Sequence, residues 1–128
     1  MDWYRDLKDK GTGLWWGIYG NSDNEFRGAC GYNDLSREHK KAEIGLWLLT
    51  EYWGQGILKE IMPKVFGIGF NELGLNRIEG FVSSDNVKCK RALEKINFKY
   101  EGTMRECEMK DGIALSLDIY AIIKSDYQ

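Results

Sequence analysis

Hydrophobic and polar positions along the chain follow two different periods. Leu14 to Tyr19 (LWWGIY) is a short aromatic-rich run that favours extended backbone. Gly20-Asn21-Ser22-Asp23-Asn24 is turn chemistry, so Glu25 to Tyr32 is predicted as a second strand, antiparallel to the first. A polar loop from Asn33 to Lys41 then leads into a third strand, Ala42 to Leu49 (AEIGLWLL). Three strands with short links make a meander. Ahead of them, residues 1 to 13 are polar, and Gly11 and Gly13 are placed to end a short helix.

After Thr50 the period lengthens. Ile57, Leu58, Ile61, Met62, Val65, Phe66 and Phe70 recur at three and four, which predicts an amphipathic helix from Trp53 to about Phe70. Pro63 lies inside it and predicts a kink. Gly74 suits the helix exit, and Arg77 to Ser83 (RIEGFVS) is the next strand. Ser84-Asp85-Asn86 supplies capping residues for a shorter helix, Val87 to Ile96. Phe98 to Arg105 and Ile113 to Ile123 are the last strands, joined by a hairpin at Lys110-Asp111-Gly112. The order β-β-β-α-β-α-β-β describes an α+β domain with a mixed twisted sheet, flanking helices and parallel crossovers.

Composition narrows the function classes. A chain of 128 residues, 43% hydrophobic and 30% charged, has the make-up of one folded domain. Eighteen basic and twenty acidic residues give a net charge of -2, so no bulk attraction to nucleic acid or to an anionic membrane is expected. Cys30, Cys89 and Cys107 are odd in number and lack CxxC spacing, which predicts reduced thiols and no structural zinc. One histidine, His39, sits in a charged run, so a histidine metal cluster is excluded and no metal site is expected. The opening Met-Asp-Trp-Tyr-Arg-Asp is unlike a signal peptide, and a cytoplasmic location is expected.

The chemistry concentrates in Leu48-Leu49-Thr50-Glu51-Tyr52-Trp53-Gly54-Gln55-Gly56-Ile57, where two glycines separate a strand from the first turn of the longest helix. Amides at a helix start lack internal acceptors and sit at the positive end of its dipole. Glycines let a ligand approach the backbone closely, so the segment is suited to a phosphate or pyrophosphate. It is neither GxxxxGK[ST] nor GxGxxG, which excludes a P-loop and a dinucleotide fingerprint.

Glu51-Tyr52-Trp53-Gly54-Gln55-Gly56 resembles the coenzyme A loop, Q/R-x-x-G-x-G/A, of the GNAT (acyl-CoA N-acyltransferase) superfamily, with Glu51 at the usual glutamine or arginine. Asn86 to Phe98 followed by Tyr100-Glu101-Gly102 resembles the NxxSxxxxxKxGFxxEG segment of the branch that acetylates ribosomal-protein N-termini. Cys89 stands at the serine of that pattern and Asn97 at its glycine; Ala42 to Trp47 and Gly74 to Glu79 also fit the branch. The resemblance covers residues 14 to 128. Family members normally begin with a strand and one or two helices before the strand matched by Leu14 to Tyr19. The resemblance therefore implies a single domain, residues 1–128, without that strand and those helices. A homodimer is expected from the sheet edge so exposed.

The resemblance implies acetyl transfer from acetyl-CoA to a primary amine by direct attack. The expected acceptor is a peptide or ribosomal-protein N-terminal α-amine. Alternatives are a polyamine or aminoglycoside acceptor, and a pseudoenzyme that only binds acetyl-CoA. Coenzyme A is expected between the Leu46–Leu49 and Arg77–Ser83 strands, touching Leu48, Leu49, Trp53, Gly54, Gln55, Gly56, Ile57, Asn86, Cys89, Lys90 and Arg91. Glu43 is the candidate base, since its apolar neighbours Ile44, Leu46 and Leu48 favour a raised carboxylate pKa; the alternative is a solvated group or a pair with Lys41. Asn86 either positions the reacting groups or caps the short helix, and both roles are compatible. Leu93 stands where many members carry a tyrosine acid. Tyr120 reads as a structural aromatic, and Trp47 and Trp53 as cleft wall or core.

Overall fold

In the computed structural model, residues 2–6, 13–20, 23–52 and 56–127 are described, and the account below concerns these. Seven strands form one sheet: β1 (Asp2–Asp6), β2 (Leu14–Tyr19), β3 (Phe26–Ser36), β4 (Lys41–Leu48), β5 (Arg77–Ser83), β6 (Lys99–Lys110) and β7 (Ile113–Ile123). Helix α1 (Ile57–Gly67) joins β4 to β5, α2 (Val87–Lys95) joins β5 to β6, and a short α3 (Lys124–Tyr127) ends the described chain. The spatial order is β1-β2-β3-β4-β5-β7-β6. Only the β4–β5 pair is parallel, as the α1 crossover requires. The second crossover, through α2, lands one place beyond β5's neighbour because β7 slots between β5 and β6.

From Leu14 onward the predicted order holds, and β2, β5 and β7 have the predicted bounds. One strand precedes it. Where a short helix is expected, Asp2–Asp6 is extended and pairs antiparallel with β2, from Asp2↔Tyr19 to Asp6↔Trp15. Trp3 and Tyr4 favour extended backbone, and the unpaired groups of β2 offer it a ladder. That β2 edge is therefore paired within the chain, and β1 becomes the outer strand of the sheet on this side. The predicted loop after Tyr32 is also shorter than expected. β3 runs on to Ser36 through a bulge, with the register shifting between Asn33 and Ser36 and Asp34 at φ 50°.

Helix α1 buries Ile57, Ile61, Met62, Val65 and Phe66 against the sheet, as its periodicity predicts. It runs unbroken past Pro63 to Gly67, then widens into a π turn over Ile68–Glu72. Gly74, at φ 69°, takes the left-handed conformation predicted for the exit. The Tyr32 hydroxyl, wholly buried, donates to the Val65 carbonyl oxygen at 2.5 Å and fastens β3 to α1. No described helix is long and apolar enough to cross a membrane. Trp47 departs from both expectations for it. It is 45% exposed, outside the core and the cleft lining, with its ring edge-on to Phe26 at 5.5 Å.

Candidate active site

Strands β4 and β5 pair for three residues only, Lys41↔Arg77, Ala42↔Ile78 and Glu43↔Glu79. Beyond them the strands part, and a cleft of about 290 Å³ opens at the divergence. Ile44, Gly45 and Leu46 line one side, Gly80 and Phe81 the other. Helix α1 contributes Leu58 and Met62, and α2 contributes Cys89, Ala92 and Leu93. Backbone groups of parted strands have no ladder partner across the gap. The cleft thus combines an apolar lining with free peptide groups, a combination suited to an acyl-pantetheine arm.

At the mouth of α1 stands Gly56, with φ 75° and ψ 11°. A left-handed residue there favours glycine, and an added Cβ would meet no described atom within 4 Å. The helix start carries no side-chain cap. Glu60 N–H donates to Gly56 O at 3.2 Å, so the amides of Ile57, Leu58 and Lys59 precede the first intrahelical bond. Among the described residues the space before these amides is open, an arrangement whose chemistry suits a phosphate group next to the apolar cleft. Trp53, Gly54 and Gln55 lie outside the described residues. The Ile57 side chain is buried in the core, so only its amide faces this site. Leu48 is likewise core, and Leu49 N–H is taken by Arg27 O at 2.9 Å.

Glu43 lies at the closed end of the divergence. Burial raises its carboxyl pKa first, and the charges of Asp34 and Glu79 add to that, against a lowering hydrogen bond from Asn33. Lys41 does not pair with it; Lys41 Nζ is 3.6 Å from Glu79, which also receives Arg77 Nε at 3.0 Å. Arg77 in turn grips Glu101, with Nη1 and Nη2 at 2.9 and 2.6 Å. Glu79 is thus neutralised by its own cations. Among the residues whose side chains are described, no cation lies within ion-pair range of Glu43 or Asp34.

On the other wall, Asn86 is the N-cap of α2, its Oδ1 accepting from Cys89 N–H at 3.2 Å. The structure therefore gives Asn86 the capping role and leaves it outside the cleft lining. Cys89 lines the cleft one turn on, and burial raises its thiol pKa. Lys90 folds back: its Nζ meets Asp118 Oδ2 and the Ser84 carbonyl, both at 3.0 Å. Asp118, the one buried charged residue among those described, also accepts from Ser84 Oγ at 2.6 Å and Thr103 Oγ1 at 2.7 Å. Arg91 is exposed on α2. Tyr120 is structural as expected, 1% exposed, with its hydroxyl donating to Glu94 at 3.3 Å. Asn97 holds φ 73° just past the end of α2, so asparagine fills there the left-handed position that suits glycine.

The structure thus gathers Glu43 and Cys89 in the cleft and sets Gly56 at the start of α1, beside Leu58 of the lining. It keeps Leu48 and the Ile57 side chain in the core, and Lys90 in an ion pair. Two cleft residues with hydrogen-bonding side chains escape the sequence reading. Trp15 Nε1 donates to Asn33 Oδ1 at 2.8 Å, and both line the cleft next to Glu43. Trp15 is one of an aromatic pair in its strand, and Asn33 opens a segment that reads as a loop. The odd-even alternation of β2 marks Trp15 as facing away from buried Trp16, and this is the one signal that singles it out.

Comparison with known proteins agrees with this geometry. A family model described as an acetyltransferase (GNAT) domain matches residues 1–99. An uncharacterized N-acetyltransferase of Bacillus subtilis, YoaA, is 36% identical over 92% of this chain and 67% of its own length. The same organism's putative ribosomal N-acetyltransferase YdaF is 31% identical, over 99% of this chain and 68% of its own. Among solved structures, a probable acetyltransferase superposes at TM-score 0.80 with 30% identity, covering 90% of this chain and 63% of the other. The spermidine/spermine N-acetyltransferase SpeG from Vibrio cholerae shares the fold at TM-score 0.84 and 19% identity, over 93% and 69% of the two chains. The parted β4 and β5 strands, the open glycine before α1 and these likenesses converge: the chain belongs to the GNAT acetyltransferases and is an acetyl-CoA-dependent enzyme that acetylates an amine.

Proposed function

We propose that the acceptor is a small polycationic amine of the spermidine class, and that Glu43 takes the proton from the attacking nitrogen. The observation that carries this reading is the Glu43 carboxylate in the cleft lining, on which the Asp34 charge acts, with no cation in ion-pair range of either among the residues whose side chains are described. Such an end attracts an ammonium group. Burial first, and then the charge of Asp34, raise the Glu43 pKa, which favours proton acceptance. The likeness to SpeG supports the fold of such an enzyme, and the acidic end supports the acceptor.

Acetyl-CoA, once bound, supplies an acetyl group activated as a thioester. The protein's own part follows from the cleft. Amides of Ile57, Leu58 and Lys59 would hold phosphate, and the apolar side chains of Ile44, Leu46, Leu58 and Met62 would exclude water from the arm. Free peptide groups where β4 and β5 part would orient the carbonyl, and Glu43 would receive the amine proton. Asn86, by capping α2, keeps Cys89 and Leu93 on the cleft wall. Besides Glu43, Cys89 is the one titratable side chain of the lining among the described residues, and burial raises its thiol pKa.

A second reading, a protein N-terminal α-amine, is favoured by the Asn86 to Gly102 segment and by the similarity to YdaF. Coenzyme A release at saturating acetyl-CoA separates the two. Spermidine and spermine should be turned over with the highest kcat/KM in a panel that also holds N-terminal peptides of ribosomal proteins and aminoglycosides. Preferential turnover of the peptides would overturn the polyamine reading.

A further inference from the structure

We infer that Trp15 and Asn33 form a relay that fixes the orientation of the Glu43 carboxylate, making Asn33 a positioning residue for removal of the amine proton. The inference rests on Glu43 being the base.

The geometry comes from three adjacent strands. Asn33 of β3 is the ladder partner of Glu43 of β4, so the two side chains leave the sheet on the same face. Trp15 of β2 pairs with Gly31, which pairs with Gly45, so the indole belongs to the next row of that face. An indole N–H only donates, and it is spent on Asn33 Oδ1 at 2.8 Å. The Asn33 amide is thereby set in one sense. Its carbonyl points to Trp15, and its NH₂ is the group left to serve the carboxylate of its ladder partner Glu43, beside it in the cleft lining. A flipped amide would set NH₂ against the indole N–H and a carbonyl oxygen against the carboxylate, both repulsive.

The indole itself is held by what it covers. An added Cβ on Gly31 would lie 2.7 Å from Trp15 Cγ, and one on Gly45 would lie 2.4 Å from Cζ2. Two glycines, paired across β3 and β4, clear a bed in which the ring lies flush on the backbone. The bulge that begins at Asn33 adds the second element, since bulges redirect side chains beside active sites. With Asp34 at φ 50°, consecutive residues both bear on Glu43, Asn33 as its ladder partner and Asp34 through its charge.

Around the carboxylate, Asp34 on β3 and Glu79 on β5 oppose ionisation, while Lys41 and Arg77 act on Glu79. Cys89 on α2 is the remaining titratable cleft group among the described residues. A donor from the Asn33 amide favours the charged form of Glu43, against the raising effect of burial and of its acidic neighbours.

The test is the pH profile of kcat/KM for the preferred amine, at saturating acetyl-CoA, in wild type, Asn33→Ala and Trp15→Phe. Removing the Asn33 donor should carry the acid limb to higher pH by about half a unit to one unit. Trp15→Phe keeps a ring on the glycine bed but frees the amide to flip, so its limb should move the same way by less. Acetyl-CoA affinity by calorimetry should stay within about twofold in both, since neither group is on the phosphate side. Acid limbs unmoved in both variants, with circular dichroism showing native folds, would overturn the relay. Glu43→Gln in the same series tells the two claims apart. Loss of the limb with unmoved Asn33→Ala and Trp15→Phe profiles overturns the relay alone, and retention of both rate and limb overturns the base assignment beneath it.

Discussion

The glycine bed under Trp15 makes a quantitative prediction for Gly45→Ala. The backbone of Gly45 is ordinary strand, so alanine adds no conformational strain, and the whole effect comes from one methyl group. That methyl would sit 2.4 Å from Trp15 Cζ2 and 2.5 Å from Cη2. Carbon atoms rest at about 3.5–4.0 Å, so the ring edge must withdraw by about an ångström or more. Overpacking of this kind costs about 1–3 kcal/mol. For a domain of this size that lowers Tm by about 3–6 °C per kcal/mol. Swinging the ring also stretches the 2.8 Å bond to Asn33. The clash explanation is checked by a double-mutant cycle in urea with Gly45→Ala, Trp15→Ala and the pair. If Trp15 is what the methyl strikes, the alanine costs almost nothing once the ring is gone, and the coupling is about 1–3 kcal/mol. Additive losses would refute the reasoning, because the penalty would then lie in the strand itself.

Gly56→Glu should cost about 1–2 kcal/mol for a side chain held at φ 75°, with no described atom within 4 Å of its Cβ, while its charge would occupy the phosphate position. Acetyl-CoA affinity measured by calorimetry should fall at least about tenfold, or about 1.4 kcal/mol. Tyr32→Phe removes the donor to Val65 O, a carbonyl that also accepts from Ile68 N–H, so the cost should be about 1 kcal/mol, read as a lower urea midpoint with unchanged m-value. Hydrogen bonds from Ser84 and Thr103, with Lys90 beside them, lower the Asp118 pKa. Its stabilisation is therefore complete above the unfolded value of about 3.9 and lost as pH falls through the lower folded value. Tm of the wild type should drop more steeply below about pH 4 than that of Asp118→Asn.

Much of this architecture is legible in the chain because local signals and tertiary packing agree. The 3.6-residue period from Ile57 to Phe70 is the buried face of α1, and Asp111-Gly112 takes positive φ at both turn positions. Glu43 is legible too, since alternation along AEIGLWLL places it opposite buried Ala42. The misreadings have physical causes. Asn33-Asp34 is turn chemistry, and here the same tolerance of positive φ serves a bulge inside a strand. Asp2–Asp6 is a strand because a partner edge is present, and no local pattern reports that edge. Trp47 shares the face of Glu43 and Gly45 but lies near the strand end, against Phe26, so its apolar character does not bring burial. Trp15 meets Gly45 across 30 positions of sequence, and Lys90 finds Asp118 across 28, so neither contact has a local signature.

The central claim is that Glu43 receives the proton of the attacking amine. Its most direct test is kcat for Glu43→Gln against wild type at pH 7, with spermidine as acceptor and acetyl-CoA affinity measured alongside by calorimetry. The account predicts a loss in kcat of about 10²-fold or more with acetyl-CoA affinity unchanged, because the phosphate side at Gly56 is untouched. A Glu43→Gln enzyme that turns over spermidine at the wild-type rate would contradict it.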